Sequence, residues 1–133
     1  MSDAVRISNP VMRVLVVEDE REACELISEF LHLEGLEPHC VTNDRDAYAA
    51  LKGQAPFSCM IVDVNLGTGT TGYDVARYAR QIDPQLPVIY VSGQTSSRSI
   101  DAYGVPGALF VEKPFLGPQL VEQVRKLIGD NDD

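Results

Sequence analysis

Short apolar runs alternate along this chain with stretches whose apolar residues recur every three or four positions. Met12 to Val17 is a short apolar run, β-branched and charge-poor at its end, which suits a strand buried on both faces. From Arg21 to Leu33 the period becomes helical, with Ala23, Ile27, Phe30 and Leu31 on one face and Gly35 where a helix would stop. Glu37 to Val41 is a more polar strand, and Pro38, which lacks an N–H, assigns it to a sheet edge. Asn43 with Asp46 three residues on is a helix-start pattern for a short helix through Leu51.

Phe57 to Val62 is a second buried strand. Gly72 to Ile82 is helical, with Val75, Ala79 and Ile82 aligned. Leu86 to Val91 and Ala108 to Val111 are further strands, separated by a short helix over Ser96 to Tyr103 that Gly104, Pro106 and Gly107 end. Pro118 stands in a helix's first turn, and Leu120, Val121, Val124, Leu127 and Ile128 form its apolar stripe. Five strands each followed by a helix predict a doubly wound α/β three-layer sandwich with a parallel sheet. With the polar second strand at an edge and the apolar first and third inside, the strand order is 2-1-3-4-5.

In such sheets ligands meet the carboxyl ends of the strands, so the residues there matter most. The first strand ends in Val17-Glu18-Asp19-Glu20, the third in Val62-Asp63-Val64-Asn65, the fourth in Val91-Ser92-Gly93 and the fifth in Val111-Glu112-Lys113-Pro114. Adjacent central strands bring Glu18, Asp19 and Asp63 together, with Ser92 and Lys113 closing the far side. Two carboxylates about 4 Å apart repel by roughly 4 kcal/mol at an effective dielectric near 20. A shifted pKa or a cation must offset that repulsion. An all-oxygen set with room for water suits Mg²⁺. Lys113 and the Ser92 hydroxyl could then hold phosphoryl oxygens around a nucleophilic Asp63. One Asp ending a buried strand would be an ordinary polar terminus; five suitable residues on four strand ends in this order would not.

Val16-Val17-Glu18-Asp19-Glu20, Ile61-Val62-Asp63-Val64-Asn65-Leu66, Val91-Ser92-Gly93 and Glu112-Lys113-Pro114-Phe115 together resemble the receiver domain of bacterial two-component response regulators, from about Met12 to Ile128. The resemblance implies a flavodoxin-like fold with Asp63 as phosphoacceptor and Glu18 and Asp19 as the acidic metal pair. It further implies the Asn65 backbone carbonyl as a metal ligand, Ser92 as the switch hydroxyl, Lys113 as the lysine that accompanies it and Phe110 as the aromatic that turns inward. It also implies a cis peptide at Lys113–Pro114. The chain departs from the family in three places. Gly67 replaces a common Pro four residues after the acceptor, the loop to Gly72 is one residue longer, and the Ser92-to-Lys113 segment is slightly shortened. Glu18 stands where Asp is common.

Composition narrows the partners. Twenty acidic against eleven basic residues give a net charge of −9, which disfavours direct binding to nucleic acid or an anionic membrane. No apolar stretch approaches the roughly 20 residues of a membrane span, and no secretory pattern opens the chain, so a cytoplasmic location is expected. Cys24, Cys40 and Cys59 show no metal or C-x-x-C spacing and read as reduced core residues. His32 and His39 lack partners at ligand spacing and receive no role.

Other readings of the motifs are weaker. Gly67-Thr68-Gly69-Thr70-Thr71-Gly72 matches a dinucleotide loop, but four residues separate it from the strand and no acid ends the next strand for a ribose. An aspartyl-phosphate phosphatase needs a second acid at position 65, which is Asn. The runner-up is a protein-interaction module on the receiver fold that signals without phosphate. The expectation is one receiver domain over 1–133, a phosphoacceptor and not an enzyme on external substrates. It would be a monomer or weak dimer, served by a sensor histidine kinase or histidine phosphotransfer protein and acting on a further protein. A frayed acidic tail is expected from Gly129 to Asp133.

Overall fold

The computed structural model describes residues 11–53, 55–67, 70–93 and 97–129. Its elements are β1 (Arg13–Val17), α1 (Arg21–Leu33), β2 (Glu37–Val41), α2 (Asp44–Leu51), β3 (Cys59–Asp63), α3 (Gly72–Ile82), β4 (Val88–Ser92), α4 (Ser97–Tyr103), β5 (Leu109–Glu112) and α5 (Gly117–Ile128). All strand pairs are parallel and the order is β2-β1-β3-β4-β5, as the apolar pattern predicts. Residues 68, 69 and 96, which belong to the expected glycine-rich loop and the start of the short helix, lie outside the described residues, as does the tail beyond Gly129.

The strict alternation of a strand divides the core in two. Leu15, Val17, Met60, Val62, Val88 and Tyr90 face α2, α3 and α4, where Ala47, Leu51, Val75, Ala76, Ala79 and Ile100 meet them. Val14, Val16, Cys59, Ile61, Ile89, Val91 and Val111 face α1 and α5, and Cys24, Ile27, Leu31, Leu120, Val121 and Val124 cover that side. β3 and β4 are buried at every position, whereas β2 alternates exposed and covered residues along most of its length, as its edge place requires. Two glycines permit close approaches. A Cβ on Gly117 would lie 2.3 Å from the Phe30 ring, so α5 meets α1 only without a side chain there, and a Cβ on Gly72 would lie 2.2 Å from the Asp63 carbonyl oxygen.

Three sequence expectations need correction. The buried stripe of α1 is Cys24, Ile27 and Leu31, with Ala23 only partly covered, because the helix is rotated to place Cys24 over the sheet. Ile82 is 47 % exposed, although its spacing continues the apolar stripe of α3. It sits in the last turn, beyond the buried run Gly72, Val75, Ala76 and Ala79. Cys24 and Cys40 are joined in a disulfide, with Cα atoms 5.9 Å apart, while Cys59 is free and buried. Sixteen residues separate the pair in sequence, a spacing that carries no motif. Only the packing of α1 across β2 brings the two within disulfide reach.

Candidate functional site

The chemistry-bearing residues converge at the carboxyl edge of the sheet. β1 and β3 are hydrogen-bonded neighbours with Val17 opposite Val62, so the next residues, Glu18 and Asp63, emerge side by side. Asp19 completes a triad in which one carboxylate oxygen from each residue lies within 4.8 Å of the other two. Glu18 and Asp63 are buried and Asp19 is exposed, so the group opens to solvent on one side. A cleft of about 270 Å³ runs over it, lined by Glu18, Asp19, Glu20, Asp63, Asn65, Gly93 and Lys113.

Lys113 reaches this group from the far side of β4. Its Nζ donates to Glu18 Oε1 at 2.7 Å and to Asp63 Oδ2 at 2.9 Å. The residue is held at the end of β5, where the Lys113 N–H donates to the Ser92 carbonyl at 2.9 Å; the peptide to Pro114 is cis, which agrees with the expectation. The other carboxylate oxygen of Asp63, Oδ1, accepts the Asn65 N–H at 2.9 Å. Both oxygens of Asp63 are therefore held, and the residue is fixed in one orientation.

The electrostatics follow from this burial. Glu18 is pushed up from 4.5 to about 7, first by burial and then by the neighbouring Asp63 charge, with the Lys113 hydrogen bond working the other way. Burial works against the charge on Lys113, but its hydrogen bonds to Glu18 and Asp63 outweigh that and raise its pKa. One ammonium thus serves two buried carboxylates while a third acid stands exposed beside them. This set has spare negative charge and oxygen donors, which fits a hard divalent cation.

The remaining candidates fall at the rim. Ser92 closes β4 and is buried, one residue beyond Val91, which faces Asp63 in the register. Phe110 lies opposite Tyr90 on β5 and is partly buried against the core. Asn65 is exposed, and its backbone pairs with Thr71 across the mouth of the β3–α3 loop. Asp44, which no sequence motif singles out, accepts the Thr70 hydroxyl on its carboxylate at 2.6 Å. No local motif links two residues 26 apart, and Asp44 reads in sequence as an ordinary acid in a helix's first turn.

Comparison with known proteins agrees with this geometry. The family model described as response regulator receiver domain matches residues 14–125. The chain is 26% identical over 117 residues to the response regulator receiver protein CpdR of Brucella abortus, covering 87% of this chain and 96% of that protein. It is 29% identical over 122 residues to the DNA-binding response regulator MtrA of Mycobacterium leprae, covering 91% of this chain but only 53% of that protein. It thus spans nearly all of one relative and about half of the other. A response regulator receiver protein from Sinorhizobium medicae superimposes with a TM-score of 0.85 at 29% identity, over 94% of this chain and all of that one. The receiver domain of NtrX from Brucella abortus gives 0.79 at 27% identity, over 89% and 99%. Among the described residues no helix is long and apolar enough to cross a membrane. With its parallel sheet, its acid triad and its lysine on one edge, and a family match over most of its length, this chain belongs to the response regulator receiver domains of two-component systems.

Proposed function

We propose that this protein accepts a phosphoryl group on Asp63 from a histidine kinase or histidine phosphotransfer protein and signals through the change that follows. The observation that carries this reading is the buried Asp63 carboxylate, held by Lys113 on one oxygen and by the Asn65 N–H on the other, inside an acid triad. A carboxylate oxygen attacks phosphorus, the bond to the donor's imidazole nitrogen breaks, and an acyl phosphate forms on Asp63. Glu18, Asp19, Asp63 and the Asn65 carbonyl would hold Mg²⁺, which supplies charge neutralisation for phosphoryl oxygens when bound.

The chain's own groups do the rest. Asp63 is oriented before the donor arrives, so little ordering remains to be done. The Lys113 ammonium, already between Glu18 and Asp63, stands ready to pair with a phosphoryl oxygen. Ser92 supplies a hydroxyl at the neighbouring strand end. Its movement toward the phosphoryl group vacates space into which Phe110 turns, altering the surface around α4 and β5. The working unit is one receiver domain with its core over about 12–128, acting in the cytoplasm.

The test is incubation with acetyl phosphate and Mg²⁺, followed by intact-mass measurement. A gain of one phosphoryl mass is expected in the native protein and none in Asp63→Asn. Full native folding with no gain under any donor would favour the interaction module that works without phosphate.

A further inference from the structure

The loop between β3 and α3 is tied at its far arm to a different helix. Thr70 Oγ1 donates to Asp44 Oδ2 at 2.6 Å, a short bond to an ionised acceptor, while Asp44 Oδ1 accepts the Arg45 N–H at 2.8 Å. The carboxylate is thereby clamped by its own helix and offered to the loop. Helix capping does not require it, because Asn43 already caps α2 by accepting the Asp46 N–H at 2.7 Å. The Thr70 bond is also the main cause that holds the Asp44 carboxyl below its ordinary value.

The anchored residue sits next to the part of the loop that pairs with Asn65, a residue lining the cleft over the acid triad. Thr71, its neighbour, pairs with Asn65 in an antiparallel bridge and caps α3 together with Asp74. Gly72 donates to the Val64 carbonyl at 2.8 Å. On the near arm, a Cβ on Gly67 would lie 3.7 Å from Asp19 Oδ2. The described ends of the loop are thus held separately, Gly67 beside Asp19 of the acid triad and Thr70 on Asp44, and Thr71 joins Thr70 to its bridge with Asn65.

We infer that Asp44 is a positioning residue: through the Thr70 hydroxyl it fixes the β3–α3 loop so that Asn65 presents its carbonyl to a divalent cation at the acid triad. This rests on the metal site proposed above. Thr70→Val keeps the β-branched shape and deletes the donor, Thr70→Ser restores it, and Asp44→Ala removes the acceptor. Full-chain protein is titrated with MgCl₂ by calorimetry, and exchange of the Asn65 and Gly72 amides is followed without metal. Thr70→Val and Asp44→Ala should weaken Mg²⁺ binding about three- to tenfold, less than loss of a direct ligand partner, and speed exchange at both amides. Thr70→Ser should behave as the native chain. A first-turn acid that merely favoured α2 would leave Thr70→Val without effect on Mg²⁺. If the native chain binds Mg²⁺ and both deletions bind it equally well, the positioning role is overturned and the metal site stands. If the native chain binds none, the metal site fails and the positioning role with it. Should Thr70→Val not fold, Asp44→Ala decides.

Discussion

Replacing Lys113 by Met removes the only cation that contacts Glu18 and Asp63 among the described residues, while keeping most of the side chain's volume. The Nζ lies 2.7 Å from Glu18 and 2.9 Å from Asp63, and Glu18 is 1 % exposed. Each attraction is about 6 kcal/mol in gross terms at an effective dielectric near 20. Desolvation offsets most of that, yet deleting one partner leaves two buried carboxylates facing each other, which costs about 3–5 kcal/mol when no relief exists. Here relief does exist. Glu18, already at about 7 beside the lysine, rises further without it and takes up a proton, so a loss of about 2–3 kcal/mol is expected at pH 8 without metal. At pH 5.5 Glu18 is protonated in both proteins and the loss should shrink to about 1 kcal/mol. Mg²⁺ in excess at pH 8 should shrink it as well, because a bound cation replaces the missing charge. Urea unfolding followed by circular dichroism measures all three conditions. A loss of equal size at both pH values and indifferent to Mg²⁺ would show that Lys113 acts by packing alone, and would refute the electrostatic account.

Two further outcomes are expected. The folded state holds a proton on Glu18 between its ordinary 4.5 and about 7 that the unfolded chain has released, so stability in EDTA should fall as pH rises through that window. Glu18→Gln or saturating Mg²⁺ should flatten the fall, and a slope unchanged by either would assign it elsewhere. Gly72→Ala brings a Cβ to 2.2 Å from the Asp63 carbonyl oxygen and 2.9 Å from its carbon. Backbone cannot yield there, so the start of α3 must retreat by about 1 Å, at a cost of about 2–3 kcal/mol. An unchanged urea midpoint in Gly72→Ala would disprove the close approach.

The strands, the helices and their order were legible in the amino-acid pattern, because strand and helix periods are written in residues two to four positions apart. Pro38 and the polar positions of β2 fixed an edge, and the continuous apolar runs of β3 and β4 fixed the middle, so the sheet order and the strand ends carrying Glu18, Asp63, Ser92 and Lys113 followed. Tertiary structure alone decided how those residues meet. Lys113 spans Glu18 and Asp63, which stand 95 and 50 residues away, and the pKa of Glu18 is raised first because packing removes its water and then because it sets Asp63 beside it. The Cys24–Cys40 disulfide, the Thr70–Asp44 tie and the Gly117–Phe30 approach likewise depend on how α1, α2 and α5 settle on the sheet and on one another. Local pattern encodes which face of an element is buried; the rotation and depth at which that face seats come from side chains far away in the chain.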